Sequence, residues 1–145
     1  MYDKTDPRSS LSTAAPAAAA AAPDASKPYG TASCIHFKEG PAEEDALSRK
    51  WYGRGHNFVI CYVEAQAGAR ITRVGQPDEY VILSPQTTTQ LHVTSDHGSA
   101  DIPGYSVVVV PAGASSIEVK TAGSFYILYT TQSKDLAAKA VNAAA

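Results

Sequence analysis

Gln76-Pro77-Asp78-Glu79-Tyr80-Val81-Ile82-Leu83 and Val107-Val108-Val109-Val110-Pro111-Ala112-Gly113 are the two stretches whose reading decides the fold. Each joins a short β-branched or aromatic run to Pro, Asp or Gly, which is the composition of a strand meeting a turn. In the first, period-two alternation puts Glu79, Val81 and Leu83 on one strand face and Tyr80 and Ile82 on the other. Outward from these two stretches the same character recurs. The predicted strands are Asn57–Val63, Ala69–Val74, Glu79–Leu83, Thr88–Thr94, Ser106–Val110, Ser116–Lys120 and Ser124–Thr130. Many short strands without intervening helices indicate an all-β sandwich or barrel rather than a parallel α/β sheet.

The flanks read differently. Residues 1–30 form an Ala/Pro-rich leader in which eight of the nine positions from Ala14 to Ala22 are alanine. With no apolar face to offset its ordering entropy, the leader is read as disordered. Pro41–Lys50 reads as a short helix, with acids at its start and Arg49 and Lys50 at its end. A last helix is expected after Ser133, a suitable N-cap, running through Leu136 towards Val141. The predicted organisation is a leader at 1–30, a barrel at 31–132 and a C-terminal helix or linker at 133–145.

A chain of 145 residues supplies one domain of modest core size. The net charge of −2 and pI near 6.0 leave no basic footprint for nucleic acid or an acidic membrane. No apolar run reaches the length of a bilayer span, and the N-terminus lacks the basic start and apolar middle of a signal peptide. The protein is therefore read as cytoplasmic. Cys34 and Cys61 stand alone, at no metal-ligand spacing, as thiols do in a reducing compartment.

Gly68, Glu79 and Pro111-Ala112-Gly113 resemble the frame of the cupin superfamily, over roughly residues 55 to 130. The resemblance implies a double-stranded β-barrel, or jelly roll, here with short flanking helices. In cupins a first motif of Gly, His-x-His and Glu and a second motif of Pro-x-Gly and His aim four ligands at one divalent metal. Counting back from Glu79 puts the histidine pair at Arg73 and Gly75. Counting forward from Gly68 puts it at Val74 and Gln76, and Ser116 takes the place of the last His. Only Glu79 of the four ligands remains, so neither metal nor other cofactor is expected. Trp51-Tyr52-Gly53-Arg54-Gly55-His56-Asn57-Phe58 with Pro77–Tyr80 also looks like the first half of bacterial two-cupin proteins, which would make this chain one module of a pair.

If the face of Glu79 points inward as the frame implies, Arg73 could sit against it and bind an anionic or carbonyl ligand. The same two residues could instead form a solvated pair at the barrel mouth. Tyr126 and Tyr129 fall on opposite faces of their strand, and one of them could present its hydroxyl to the cavity. The ligand-binding set is thus Arg73, Glu79 and Tyr126. His92, between Leu91 and Val93, is expected to face out. Asp96 and His97 lie in a turn, and Cys61 reads as core. The function expected is a metal-free cupin-like module that binds a small polar molecule, pairs with a second barrel as a homodimer or two-barrel assembly, or does both. The alternative is a metal-independent isomerase, epimerase or lyase, with Glu79 as base, Arg73 as electrophile and a Tyr as acid.

Overall fold

Alternating burial along nearly every strand shows how the chain sorts itself: apolar side chains alternate inward between two antiparallel sheets. The computed structural model describes residues 34–38 and 40–144. The predicted leader at 1–30 lies outside the described residues. Strands are β1 (Glu43–Glu44), β2 (Ser48–Arg54), β3 (Phe58–Ala65), β4 (Arg70–Gln76), β5 (Tyr80–Ser84), β6 (Gln90–Ser95), β7 (Gly98–Ile102), β8 (Ser106–Val110), β9 (Gly113–Thr121) and β10 (Gly123–Thr130). One short helix, α1, covers Lys134–Ala137.

A six-stranded sheet runs in the order β1-β2-β3-β10-β5-β8, and a four-stranded sheet runs β4-β9-β6-β7. From β3 onward every connection except the β6–β7 hairpin crosses between the sheets, which gives the expected jelly roll. The six-stranded sheet turns Val59, Cys61, Val63, Phe125, Ile127, Tyr80 and Ile82 inward. Ile71, Ile117, Val119, Leu91 and Val93 meet them from the other sheet.

Three local expectations are corrected. Pro41–Lys50 is not a helix but the β1–β2 hairpin. The opposite charges read as complementing a helix dipole are cross-strand partners, Glu43 opposite Lys50 and Glu44 opposite Arg49. Asp45 makes the turn, its carboxylate accepting from the Leu47 and Ser48 amides at 2.8 Å each. Burial of Trp51 and Tyr52 in β2 then outweighs any helical preference of the preceding residues. The second correction is β7, Gly-Ser-Ala-Asp-Ile. No strand is predicted between Thr94 and Ser106, yet Gly98–Ile102 is an edge strand paired with β6.

The third correction concerns the C-terminus, where only Lys134–Ala137 is helical. Ser133 makes no side-chain cap bond; its hydroxyl accepts from Gln76 Nε2 at 2.8 Å instead. Beyond α1 the chain is drawn onto β2. The Val141 amide donates to the Tyr52 carbonyl, and the Asn142 amide group bonds both backbone groups of Arg54 at 2.8 Å. Residues 133–144 thus form a strap, with Leu136, Ala137 and Ala140 packed into the core cluster.

Candidate functional site

The two conflicting counts of the first motif have one cause. Between Arg73 and Gln76 the pairing of β4 with β9 slips, and Gly75 there takes a left-handed φ of 66°. The bulge adds a residue, so Arg73 from one count and Gln76 from the other both reach the interior end of the strand. Gln76 is buried, and Arg73 lies over the inward ring of Tyr129, 5.5 Å from its centroid.

The same alternation overturns the expected direction of Glu79. Tyr80 and Ile82 fill the interior at 1% and 0% exposure, whereas Glu79 is exposed. Burying two large side chains outweighs burying one carboxylate, which would lose its hydration without a partner. Glu79 and Arg73 are not brought together. Arg73 pairs with Asp135 of the strap: Nη1 donates to Oδ2 at 2.7 Å and Nη2 to Oδ1 at 3.2 Å. Its Nε donates to Gln76 Oε1 at 2.8 Å.

The second motif is also shifted by one. Ser115, not Ser116, turns inward, and its hydroxyl is 2.9 Å from that of Tyr80. Ser116 lies on the outer side, where its Oγ finds no hydrogen-bond partner. Gly113 carries a φ of 113°, and a Cβ there would come within 2.5 Å of Asp96 Oδ2. That oxygen accepts from the Ala114 amide at 2.7 Å, so Asp96 ties two turns together, while His97 beside it is exposed.

Tyr126 lies on the outer face against Tyr62, ring centroids 5.1 Å apart. Tyr129 is the inward tyrosine, its ring tilted by 34° against that of Tyr80 with centroids 5.0 Å apart. One end of the barrel therefore converges Arg73, Gln76, Tyr80, Ser115, Tyr129 and Ser133. Burial pushes the hydroxyls of Tyr80, Tyr129 and neighbouring Tyr52 above the ordinary tyrosine range. It pushes the Cys61 thiol up to about 12, as suits an inert core residue. The bond to Asp135 raises Arg73, and the guanidinium in turn holds Asp135 below the usual carboxylate range. Burial works against the charge of Glu43, but Lys139, Tyr52 and Lys50 outweigh it and keep that carboxyl low.

The residues at the motif positions do not fit a divalent metal. A guanidinium already paired to a carboxylate, a side-chain amide engaged at both ends, a neutral tyrosine and a serine offer no converging anionic or imidazole donors. Among the described residues, no three His, Cys, Asp or Glu side chains gather into a possible metal site. His56 is exposed, and His92 faces out to Asp101, with Nδ1 2.6 Å from Oδ1. Alternation alone anticipated the direction of His92. Asp135, Gln76 and Ser133 were missed. The bulge that aims Gln76 inward has only Gly75 as its sequence signal, and the strap residues are brought in by tertiary pairing.

No family model and no curated protein matches the chain. Solved structures do. KdgF from Halomonas sp. aligns with 70% of this chain and 95% of its own, at 11% identity and a TM-score of 0.56. An RmlC-like cupin from Shewanella frigidimarina aligns over 70% and 92%, at 12% identity and 0.57. An RmlC-like cupin from Desulfovibrio desulfuricans aligns over 70% and 97%, at 14% identity and 0.53. The chain has the cupin jelly-roll fold. Among the described residues, no helix is long and apolar enough to cross a membrane.

Proposed function

We propose that this cupin-fold chain is a metal-free assembly module that pairs with a second copy of itself through the outer face of β5 and β8. The observation that carries the reading is an apolar surface where a solvated sheet would be polar. Cross-strand partners Val81 with Val109 and Leu83 with Val107 fill that face, and Tyr126 and Leu128 continue it on β10. Val107 is 65% exposed, Val109 58% and Leu83 38%. Exposed apolar side chains in one contiguous patch mark interaction surfaces, whereas scattered ones do not.

Charge and area favour a second copy. None of these six side chains is charged, so covering the patch desolvates no ion, which matches the charge-poor centre of stable interfaces. The net charge of −2 opposes self-association only weakly. The patch supplies on the order of 300 Å², against roughly 800 Å² per partner in a standard interface, so the contact extends around it. β8 is also the terminal strand of its sheet, so the patch reaches the rim where a two-fold partner can approach.

Native mass spectrometry across a dilution series, with light scattering on a sizing column, tests this reading. A dimer that dissociates on dilution is expected. A monomer at every concentration overturns it, and a second barrel of different sequence would then be the partner to seek.

A further inference from the structure

We infer that Arg73 anchors a binding site for a small carboxylate, and that Asp135 of the C-terminal strap occupies this site in cis. The inference does not depend on self-association. It rests on an asymmetry between the two partners of one ion pair. The guanidinium belongs to the scaffold: it projects from β4, lies over the Tyr129 ring of β10 and bonds Gln76 through Nε. Gln76 is itself only 2% exposed, so packing within the barrel holds its amide in place whether or not the strap moves. Only 15% of the Arg73 side chain is exposed. Held this way, its two terminal nitrogens present a rigid fork towards the barrel mouth, the geometry that recognises a carboxylate through two parallel bonds.

The carboxylate comes from a less constrained element. Asp135 sits on a helix of four residues that lacks a side-chain cap, and 55% of its side chain is exposed. A helix this short has almost no stability of its own and is held by its contacts. Those contacts are the burial of Leu136, Ala137 and Ala140 together with polar bonds from Ser133 to Gln76, Lys139 to Glu43, and Asn142 to Arg54. Exchanging Asp135 for an external carboxylate keeps both charge-assisted bonds to Arg73 and requires only that the start of the strap move. Tyr80, Ser115 and Tyr129 beneath the fork are buried at 1%, 6% and 3% exposure, so the body of a ligand stays on the solvent side of the guanidinium and must be small. A small carboxylate is therefore the class that fits.

In the wild-type chain the tethered Asp135 competes at high effective concentration, so external binding is weak. Asp135→Ala removes the competitor and leaves a partly buried cation to be satisfied. Acetate is the probe, titrated at constant ionic strength against chloride and followed by the backbone amide signals of Gln76 and Leu136, which every variant retains. Acetate is expected to bind the variant about tenfold or more tightly than the wild type, because the occupied fraction of the site is released. Adding Arg73→Gln should abolish that gain. Equal affinity in Asp135→Ala and wild type, or a gain that survives Arg73→Gln, overturns the inference. Should Asp135→Ala fail to fold, amide exchange of the wild type decides. Faster exchange at Leu136 and Ala137 in molar acetate than in molar chloride supports displacement of the strap, and unchanged exchange overturns it.

Discussion

The two outer faces of the sandwich are made from similar short strands and present opposite chemistry to solvent. Across the four-stranded sheet, Arg70, Glu118, His92 and Asp101 stand opposite one another on β4, β9, β6 and β7, alternating basic and acidic groups. Arg70 reaches Glu118 at 3.0 Å, and Lys120 reaches the other Glu118 oxygen at 2.7 Å. The matching surface of β5, β8 and β10 is aliphatic and aromatic. Since both sheets fill their inner faces with the same apolar residue types, core packing does not explain the difference. A sheet whose outer face stays in water is normally polar on that side, and this contrast is what the proposed pairing through the apolar face rests on.

The largest expected effect comes from exchanging the character of the two faces. Val109→Lys should weaken self-association by about a hundredfold or more, in the range of losses at interface hot spots. Thr94→Lys puts the same charge on the polar face and should leave association unchanged. Light scattering on both variants at equal concentration checks this. Equal losses would mean that net charge, not the face, governs pairing.

A second prediction separates interior polarity from surface polarity. Tyr80→Phe removes the partner of the buried Ser115 hydroxyl and should cost about 1–2 kcal/mol in urea unfolding. Association should not change, because Tyr80 faces away from the patch. A cost near zero would show that water replaces the lost hydroxyl and that this end of the barrel is wetter than its packing implies.

Much of this architecture was legible in the sequence. Seven predicted strands coincide with β3, β4, β5, β6, β8, β9 and β10 to within a few residues, because alternation and Gly/Pro punctuation are local signals. The hairpin at Glu43–Arg54 was not legible: acids followed by bases suit a helix or a hairpin equally, and only pairing with β3 decides between them. The site was legible in type but not in direction. Arg73 does reach the interior end, but one inserted residue at Gly75 turns Gln76 inward, and Tyr80 rather than Glu79 faces the core. A single-residue slip reverses every side chain that follows it. Asp135, the true partner of Arg73, lies 62 residues away and belongs to no motif.

Acid should loosen the strap. Asp135 and Glu43 both titrate below their ordinary values in the folded chain, chiefly through Arg73 for the first and through Lys139, Tyr52 and Lys50 against burial for the second. Their stabilisation is therefore fully present above the unfolded carboxylate range near pH 4 and is lost as pH falls through the lower folded values. Urea midpoints should hold from neutral pH to about 5 and decline below about 4. Asp135→Ala should flatten part of that decline. The effect is small because Asp135 is more than half exposed and water screens its pairing with Arg73.

The smallest effect is expected from Glu118→Gln, which breaks the row of alternating charges at its most connected point. Glu118 serves Arg70 and Lys120 and stands opposite His92, so pair counting alone would assign it a large share of the stability. Exposed ion pairs gain little because water solvates the separated charges nearly as well, and salt screens what remains. The urea midpoint should hardly move, and any difference should vanish in high salt. The same variant also tests the contrast between the faces. If Glu118→Gln weakened self-association as Val109→Lys does, the charged row would be an interface desolvated in the dimer, and the apolar face would lose its claim to the partner. If it leaves both stability and stoichiometry unchanged, the row is a solvated surface that keeps this sheet in water while the opposite sheet pairs.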